Sequence, residues 1–184
     1  AGEIGTTLGQ NKEKRAIDCV IDENTTAHRY NWRGTVIASY GNNSGSHTWD
    51  NLEASNALLD WTDVDAADQL FNGMTDPYTG EPLMIEAKHL IVTKSLEKVA
   101  MRIRNATEVR VATPGLATTG NPNVAMQSNP YASAFDVVST RLLASRLATD
   151  TTWFYGDVTK YAKYMQAEPL TVLQAPPNNE DEFN

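Results

Sequence analysis

A chain of 184 residues, 41% hydrophobic and 21% charged, has the composition of an ordinary globular protein, enough for one domain or two small lobes sharing a core. Its net charge of -8 and pI of about 4.8 argue against a nucleic-acid grip, which depends on clustered Lys and Arg. One cysteine excludes an internal disulfide and a multi-thiolate metal site, and no apolar run approaches the roughly 20 residues of a membrane span.

Ile4, Leu8, Ala16, Ile17, Val20 and Ile21 recur at a loose helical spacing, which predicts a helix up to the turn at Asp22 to Thr25. Cys19 lies in that pattern and is expected to act as a small buried hydrophobe. His28 to Tyr40 (HRYNWRGTVIASY) mixes aromatic and β-branched residues and predicts one or two strands. Gly41 to His47 (GNNSGSH) has the composition of an exposed loop tip with few contacts to its own chain. Trp49 and Leu52 resume apolar character, so Tyr30 to Leu52 predicts a long β-excursion whose tip is flanked by Trp32 and Trp49 on opposite arms, an aromatic pair placed to brace them.

Thr62 is the expected cap of the next helix, with Asp65 three residues on, as in a capping box. Val64, Ala67, Leu70, Phe71 and Met74 form its apolar stripe, and TDPYTGEP (Thr75 to Pro82) is turn chemistry throughout. HLIVT (His89 to Thr93) predicts a buried strand. Ser95 is the expected cap of a helix whose inner face is Leu96, Val99, Ala100 and Ile103. The two basic runs, Lys12 to Arg15 and Lys98 to Arg104, read as solvated helix faces. Ala112 to Pro130 has few apolar anchors and predicts a long loop. Phe135 to Thr140 and Thr151 to Tyr155 predict strands. Tyr161 to Met165 and Leu170 to Gln174 fit a hairpin around Ala167-Glu168-Pro169, while Lys160 to Met165 fits a helix as well. Ala1 in place of Met, and Phe183 beside the last residue, predict a chain cut in mid-element.

Reactive groups are sparse. His28, His47 and His89 are far apart, with no pair at ligand spacing. Asp60, Asp63, Asp65 and Asp68 are the densest carboxylates, but Asp63 and Asp65 fall on different helix faces and no EF-hand pattern follows, so capping accounts for most of them. Gly41 to Gly45 misses the G-x-S-x-G elbow by spacing, and there is no P-loop or G-x-G-x-x-G. No cofactor or metal is expected. One alternative is a hydrolase in which Asp68 or Glu108 converges with His89 in a pocket. Another is a glycan-binding module using exposed Trp32, Tyr40 and Trp49.

Asp60 to Ile103 (DWTDVDAADQLFNGMTDPYTGEPLMIEAKHLIVTKSLEKVAMRI) resembles the centre of tailed-phage major capsid proteins of the Mu-type prophage head-subunit kind. There a long helix leads through a D-P-x-T-G-E-P turn into a strand and a second helix. SNPYASAFDVVST (Ser128 to Thr140) and WFYGDVTKYAKYMQAEPLTVLQAPPNNEDEF (Trp153 to Phe183) continue the likeness in the same order, and NKEKRAIDCVID and YNWRGTV extend it toward the N-terminus.

The resemblance implies an α+β, Hong Kong 97-like fold. It divides the chain into an N-terminal helical segment (1–29), an extended β-loop (30–52), a peripheral-domain part with the spine helix (53–87) and a mostly axial domain (88–184). Thr62 to Met74 would be the spine helix, and the family's N-terminal arm and final peripheral strands would be absent. It further implies a structural major capsid protein, not an enzyme, that self-assembles into an icosahedral phage or prophage head. The expected partners are copies of itself and other head proteins, with no membrane and no sequence-specific nucleic acid. Its expected places are the virion and, during assembly, the host bacterial cytoplasm. The candidate subunit contacts are Trp32, Tyr40, Trp49, Trp153, Tyr155, Tyr161 and Tyr164. Some relatives join subunits covalently through a lysine on the extended loop. No lysine occurs between Arg15 and Ala87, so that chemistry is not expected here. An acidic balance also suits a shell whose inner wall must not trap packaged DNA.

Overall fold

The computed structural model describes residues 2–21, 30–32, 34–37, 39–41, 50–76, 79–112 and 124–161. Among these the elements run α1 (Gly2–Val20), β1 (Tyr30–Trp32), β2 (Thr35–Ile37), α2 (Trp61–Gly73), β3 (His89–Thr93), α3 (Glu97–Asn105), β4 (Glu108–Ala112), β5 (Val124–Ser128), β6 (Asp136–Thr140), α4 (Arg141–Leu147), β7 (Trp153–Gly156) and α5 (Val158–Tyr161). This is an α+β arrangement.

The apolar run of β3 lacks polar alternation because both its faces are covered. It is the centre of a sheet ordered β6-β3-β7, parallel to β6 and antiparallel to β7. Period two sends Leu90 and Val92 to one face and Ile91 to the other. The first face packs against Ala100 and Ile103 of α3, Val64 of α2, Leu58, Tyr131 and Phe135, with Trp153 and Tyr155 from β7. The second face meets Leu143 and Leu147 of α4 and, beyond them, Ile17 and Ile21 at the end of α1, with Phe154 from β7.

Several local devices hold these layers. Asp60 caps α2: its side chain accepts from Thr62 N at 2.8 Å, while Asp63 Oδ2 accepts from the Asp60 amide at 2.8 Å. The buried Asn129 closes the C-terminus of α3 by donating from Nδ2 to the carbonyls of Ile103 (2.7 Å) and Ala106 (2.9 Å), and it accepts from Tyr131 N at 3.0 Å. This is the physical content of the Ser-Asn-Pro-Tyr stretch. Thr140 ends β6 and caps α4 through Leu142 N, and Ala148 stops that helix in the left-handed region at φ 55°. The Arg146 guanidinium grips Asp18 bidentately at 2.6 Å and 2.6 Å, fastening α1 to α4.

The structure corrects several expectations. The cap of α2 is Asp60 and not Thr62, whose hydroxyl donates to the Asp60 carboxylate. Asp65 takes no part in the box; it accepts from Gln69 and from Tyr131. Ser95 does not cap α3, whose N-cap is Leu96 without a side-chain bond. Its hydroxyl donates instead to the Asp150 carbonyl, as Thr93 also does. Within Ala112 to Pro130, Val124–Ser128 is a strand antiparallel to β4, so the expected loop is in part a hairpin. Cys19 is exposed, because two residues of helix turn it about 200° from Ile17. Trp32 pairs in register with Thr35 across a turn at Gly34 (φ +85°), so β1 and β2 form a short hairpin within the expected excursion. Gly41 is buried: it donates to Asn51 Oδ1 at 2.7 Å and accepts from Asn51 N at 2.8 Å. Tyr161, the expected start of the hairpin of Tyr161 to Met165 and Leu170 to Gln174, ends α5, and residues 42–47, Trp49 and the rest of that hairpin lie outside the described residues.

Candidate assembly surface

The aromatic candidates that can be placed are largely internal. Trp153 donates from its indole to the Asn56 carbonyl at 2.9 Å. Tyr155 meets Phe135 and Phe71 edge-on, at ring-centroid distances of 5.7 and 6.1 Å. Tyr40 tilts against Phe154 at 5.6 Å and donates its hydroxyl to the Val20 carbonyl. Each of the three is half-buried, holding its own chain together. The backbone of Tyr161 ends α5; its side chain, that of Trp32, and all of Trp49 and Tyr164 lie outside the described residues.

The polar groups are distributed as follows. Burial and the neighbouring Asp65 raise the Asp68 carboxyl above the usual range. The same acidic pocket reaches two phenols. Burial, the hydrogen bond to Asp65 and the Asp68 charge push Tyr131 up, and burial with Asp68 pushes Tyr155 up to about 12. Asp157 caps the start of α5, and the Thr159 hydroxyl bonded to it holds its carboxyl below the ordinary value. His89 Nδ1 lies 3.9 Å from Asp157 Oδ1 and Lys88 Nζ 3.9 Å from Oδ2, both beyond hydrogen-bond reach. No hydrogen bond or ion pair among the described residues joins any two of Asp68, His89 and Glu108, and Glu108 is exposed on β4. His28 and His47 are outside the described residues. Among the described residues no group of three His, Cys, Asp or Glu is placed to hold a metal, and no helix is long and apolar enough to cross a membrane.

Two surface features go beyond the motifs the sequence offered. One is the continuation of the Thr75 to Pro82 turn into an exposed apolar tip at Met84. Asp76 N donates to the Glu81 carbonyl, Gly80 N to the Asp76 carbonyl and Leu83 N to the Met74 carbonyl, and Thr75 bridges Pro82. Ile85 N then donates to the Leu83 carbonyl at 3.0 Å, so Met84 sits at the apex of a three-residue turn and is 94% exposed. The other is a hollow of about 250 Å³ at the opposite end of α2, walled by Leu59, Trp61, Ile103 and Val109 and rimmed by Arg102 and Arg110. A larger, mostly apolar hollow of about 320 Å³ lies between the end of α2 and β7, among Phe71, Met74, Ile85, Phe154 and Val158. The signal for the turn was available: Leu83-Met84-Ile85 is apolar, yet stands in a run of turn residues between Glu81 and Glu86. The hollow had no such signal, since its walls come from three separate stretches.

None of these three hollows, including one of about 450 Å³ beside Trp153, is lined by Asp68, His89 or Glu108. What the described surface offers is shape, exposed apolar side chains and charge. No curated protein and no solved structure matches the chain. The model of a family described as phage capsid protein matches residues 1–183. That match covers nearly the whole chain, and the chain belongs to the phage capsid protein family, with which its α+β fold is compatible.

Proposed function

We propose that this capsid protein is the major head subunit of a tailed phage or prophage and closes an icosahedral shell by self-association, in a Hong Kong 97-like fold of the Mu type. The observation that carries the reading is the family match over 1–183, nearly the whole chain. In this assignment α2 is the spine helix, residues 30–52 the extended loop, and residues 88–184 mostly the axial domain. The function is structural, so the mechanism is a set of interfaces in which many weak contacts add through symmetry. The short β1–β2 ladder, paired with no other strand among the described residues, supports an excursion at the edge of the body. Other head proteins would join the shell in the virion, after assembly in the host cytoplasm.

The test is light scattering and negative-stain microscopy of the purified chain across protein and salt concentrations. Closed particles of uniform size are expected. A protein that stays monomeric under every condition overturns the reading.

A further inference from the structure

The turn and the hollow at the two ends of α2 are complementary to each other. We propose that the Glu81–Glu86 turn of one copy inserts its Met84 tip into the Arg102/Arg110 hollow of the next, making a head-to-tail contact between subunits. The inference rests on the shell reading above and names a contact that would build it.

Shape comes first. The turn is tied at its base by backbone hydrogen bonds to Met74 and Asp76 and closed at its tip by the Leu83–Ile85 bond, so little order is lost when a partner arrives. Its apex is an almost fully exposed methionine, a flexible apolar side chain suited to filling an irregular gap. The hollow holds about 250 Å³ between Leu59, Trp61, Ile103 and Val109. Roughly 150 Å³ already admits a benzene, so a methionine side chain fits.

Charge matches as well. Glu81 and Glu86 flank the tip, are exposed, and make no side-chain hydrogen bond or ion pair among the described residues. Arg102 and Arg110 at the rim of the hollow are likewise exposed, with guanidinium groups unpaired among the described residues. Asp60, also on the rim, is occupied in capping α2. Two carboxylates on the knob thus face two guanidinium groups on the hole, the pairing that sets orientation and rejects wrong partners.

Position decides the occupant. The hollow lies at the N-terminal end of α2 and the knob beyond its C-terminal end. Those 13 helical residues separate the two by about 20 Å, so one copy cannot fill its own hole. A second copy can. Two different patches meeting in this way form a heterologous contact, which closes a ring when the rotation between neighbours permits.

The experiment is a charge swap read by analytical ultracentrifugation and light scattering of the full chain. One variant carries Glu81→Lys and Glu86→Lys, the other Arg102→Glu and Arg110→Glu. Each alone should raise the concentration for half-association by about tenfold or more, with its far-ultraviolet circular dichroism and melting temperature kept. Mixed one to one, the reversed knob meets the reversed hole and the native knob meets the native hole, so association should return. Association of the wild type that ignores both reversals overturns the contact while leaving the shell reading intact. Loss in both variants without restoration on mixing also overturns it, because the two patches would then matter without meeting each other. Loss in the arginine variant alone means that a different acidic segment fills the hole, and the proposal fails. A wild type that never associates removes the shell reading and the contact together.

Discussion

The two faces of the β6-β3-β7 sheet are filled from different ranges of sequence. The first face draws on residues from Leu58 to Tyr155, and its polar ties stay within residues 56–155: Asn129 to α3, Tyr131 to Asp65, Trp153 to Asn56. The second is completed by Ile17 and Ile21, held through an Asp18–Arg146 pair 128 residues apart in sequence. From Thr6 onward, only Ile17 and Asp18 of α1 are buried. The helix therefore docks mainly around Ile17 and Asp18, with one further tie where the Thr140 hydroxyl donates to Glu13 Oε1 at 2.9 Å, and none of residues 6–16 is buried. A body closed over local contacts and an arm attached at one end should open at different free energies.

The strongest way to break that comparison is a pair of truncations. Leu90 is 0% exposed at the centre of the first face, so Leu90→Ala should cost about 2–5 kcal/mol and lower the global melting temperature. Ile21→Ala removes as much apolar surface, but its loss should appear as undocking of α1. In hydrogen exchange, α1 amides should then exchange faster while the β3 amides keep their protection. If Ile21→Ala strips protection from β3 as Leu90→Ala does, the two faces form one cooperative unit and the distinction is gone.

A smaller effect sharpens the same contrast through polar ties. Asn129→Ala leaves two carbonyls at the end of α3 and the Tyr131 amide without their partner, which should cost about 1–3 kcal/mol. The loss should show as a lower melting temperature of the whole body. Arg146→Gln cuts the tie on the other face, and its effect should be confined to α1 exchange, growing weaker as salt is added to the wild type used for comparison. An equal drop in melting temperature from both variants would refute the assignment of Arg146 to the arm alone.

The uneven legibility of the sequence follows the same division. β3, the inner face of α3 and the Thr75 to Pro82 turn were readable because their signals are local: a run of five apolar-capable residues, a 3.6-residue stripe, a cluster of turn formers. α4 was not seen, since seven residues carry little periodicity and its cap, Thr140, belongs to a strand. The Val124–Ser128 strand was hidden because its pairing with β4 is set by register across an intervening segment, and Ala, Met, Gln and Ser carry little β signal of their own. The cap of α2 was misplaced by two residues because Asp60-Trp61-Thr62-Asp63 offers two capping residues, and backbone geometry chose Asp60. Of the assembly surface, the family likeness was legible, and the aromatic candidates that can be placed are half-buried against their own chain. Rings in a half-exposed hairpin or edge strand pack on their own chain whenever a second layer is within reach, as Phe71 and Phe135 are for Tyr155.

The smallest effect at neutral pH concerns that same tyrosine. Its phenol is pushed up to about 12 by burial and by the nearby Asp68 charge, against 10.0 for a free tyrosine. Between those two values the unfolded chain has released the proton and the folded chain still holds it. Fewer protons on the unfolded state mean that stability falls as pH rises through this window, and the full contribution is present below pH 10. Tyr131, raised in the same direction, adds to the fall. The Tyr155 hydroxyl has no hydrogen-bond partner among the described residues, so Tyr155→Phe should keep the ring contacts with Phe71 and Phe135 and leave the melting temperature at pH 7 nearly unchanged. Above pH 10 the variant should lose stability less steeply than the wild type, measured as melting temperature against pH with phenolate absorbance followed in parallel. Identical alkaline limbs would mean that the phenol titrates alike in both states, and that the first face admits water at Tyr155 as readily as the second does at α1.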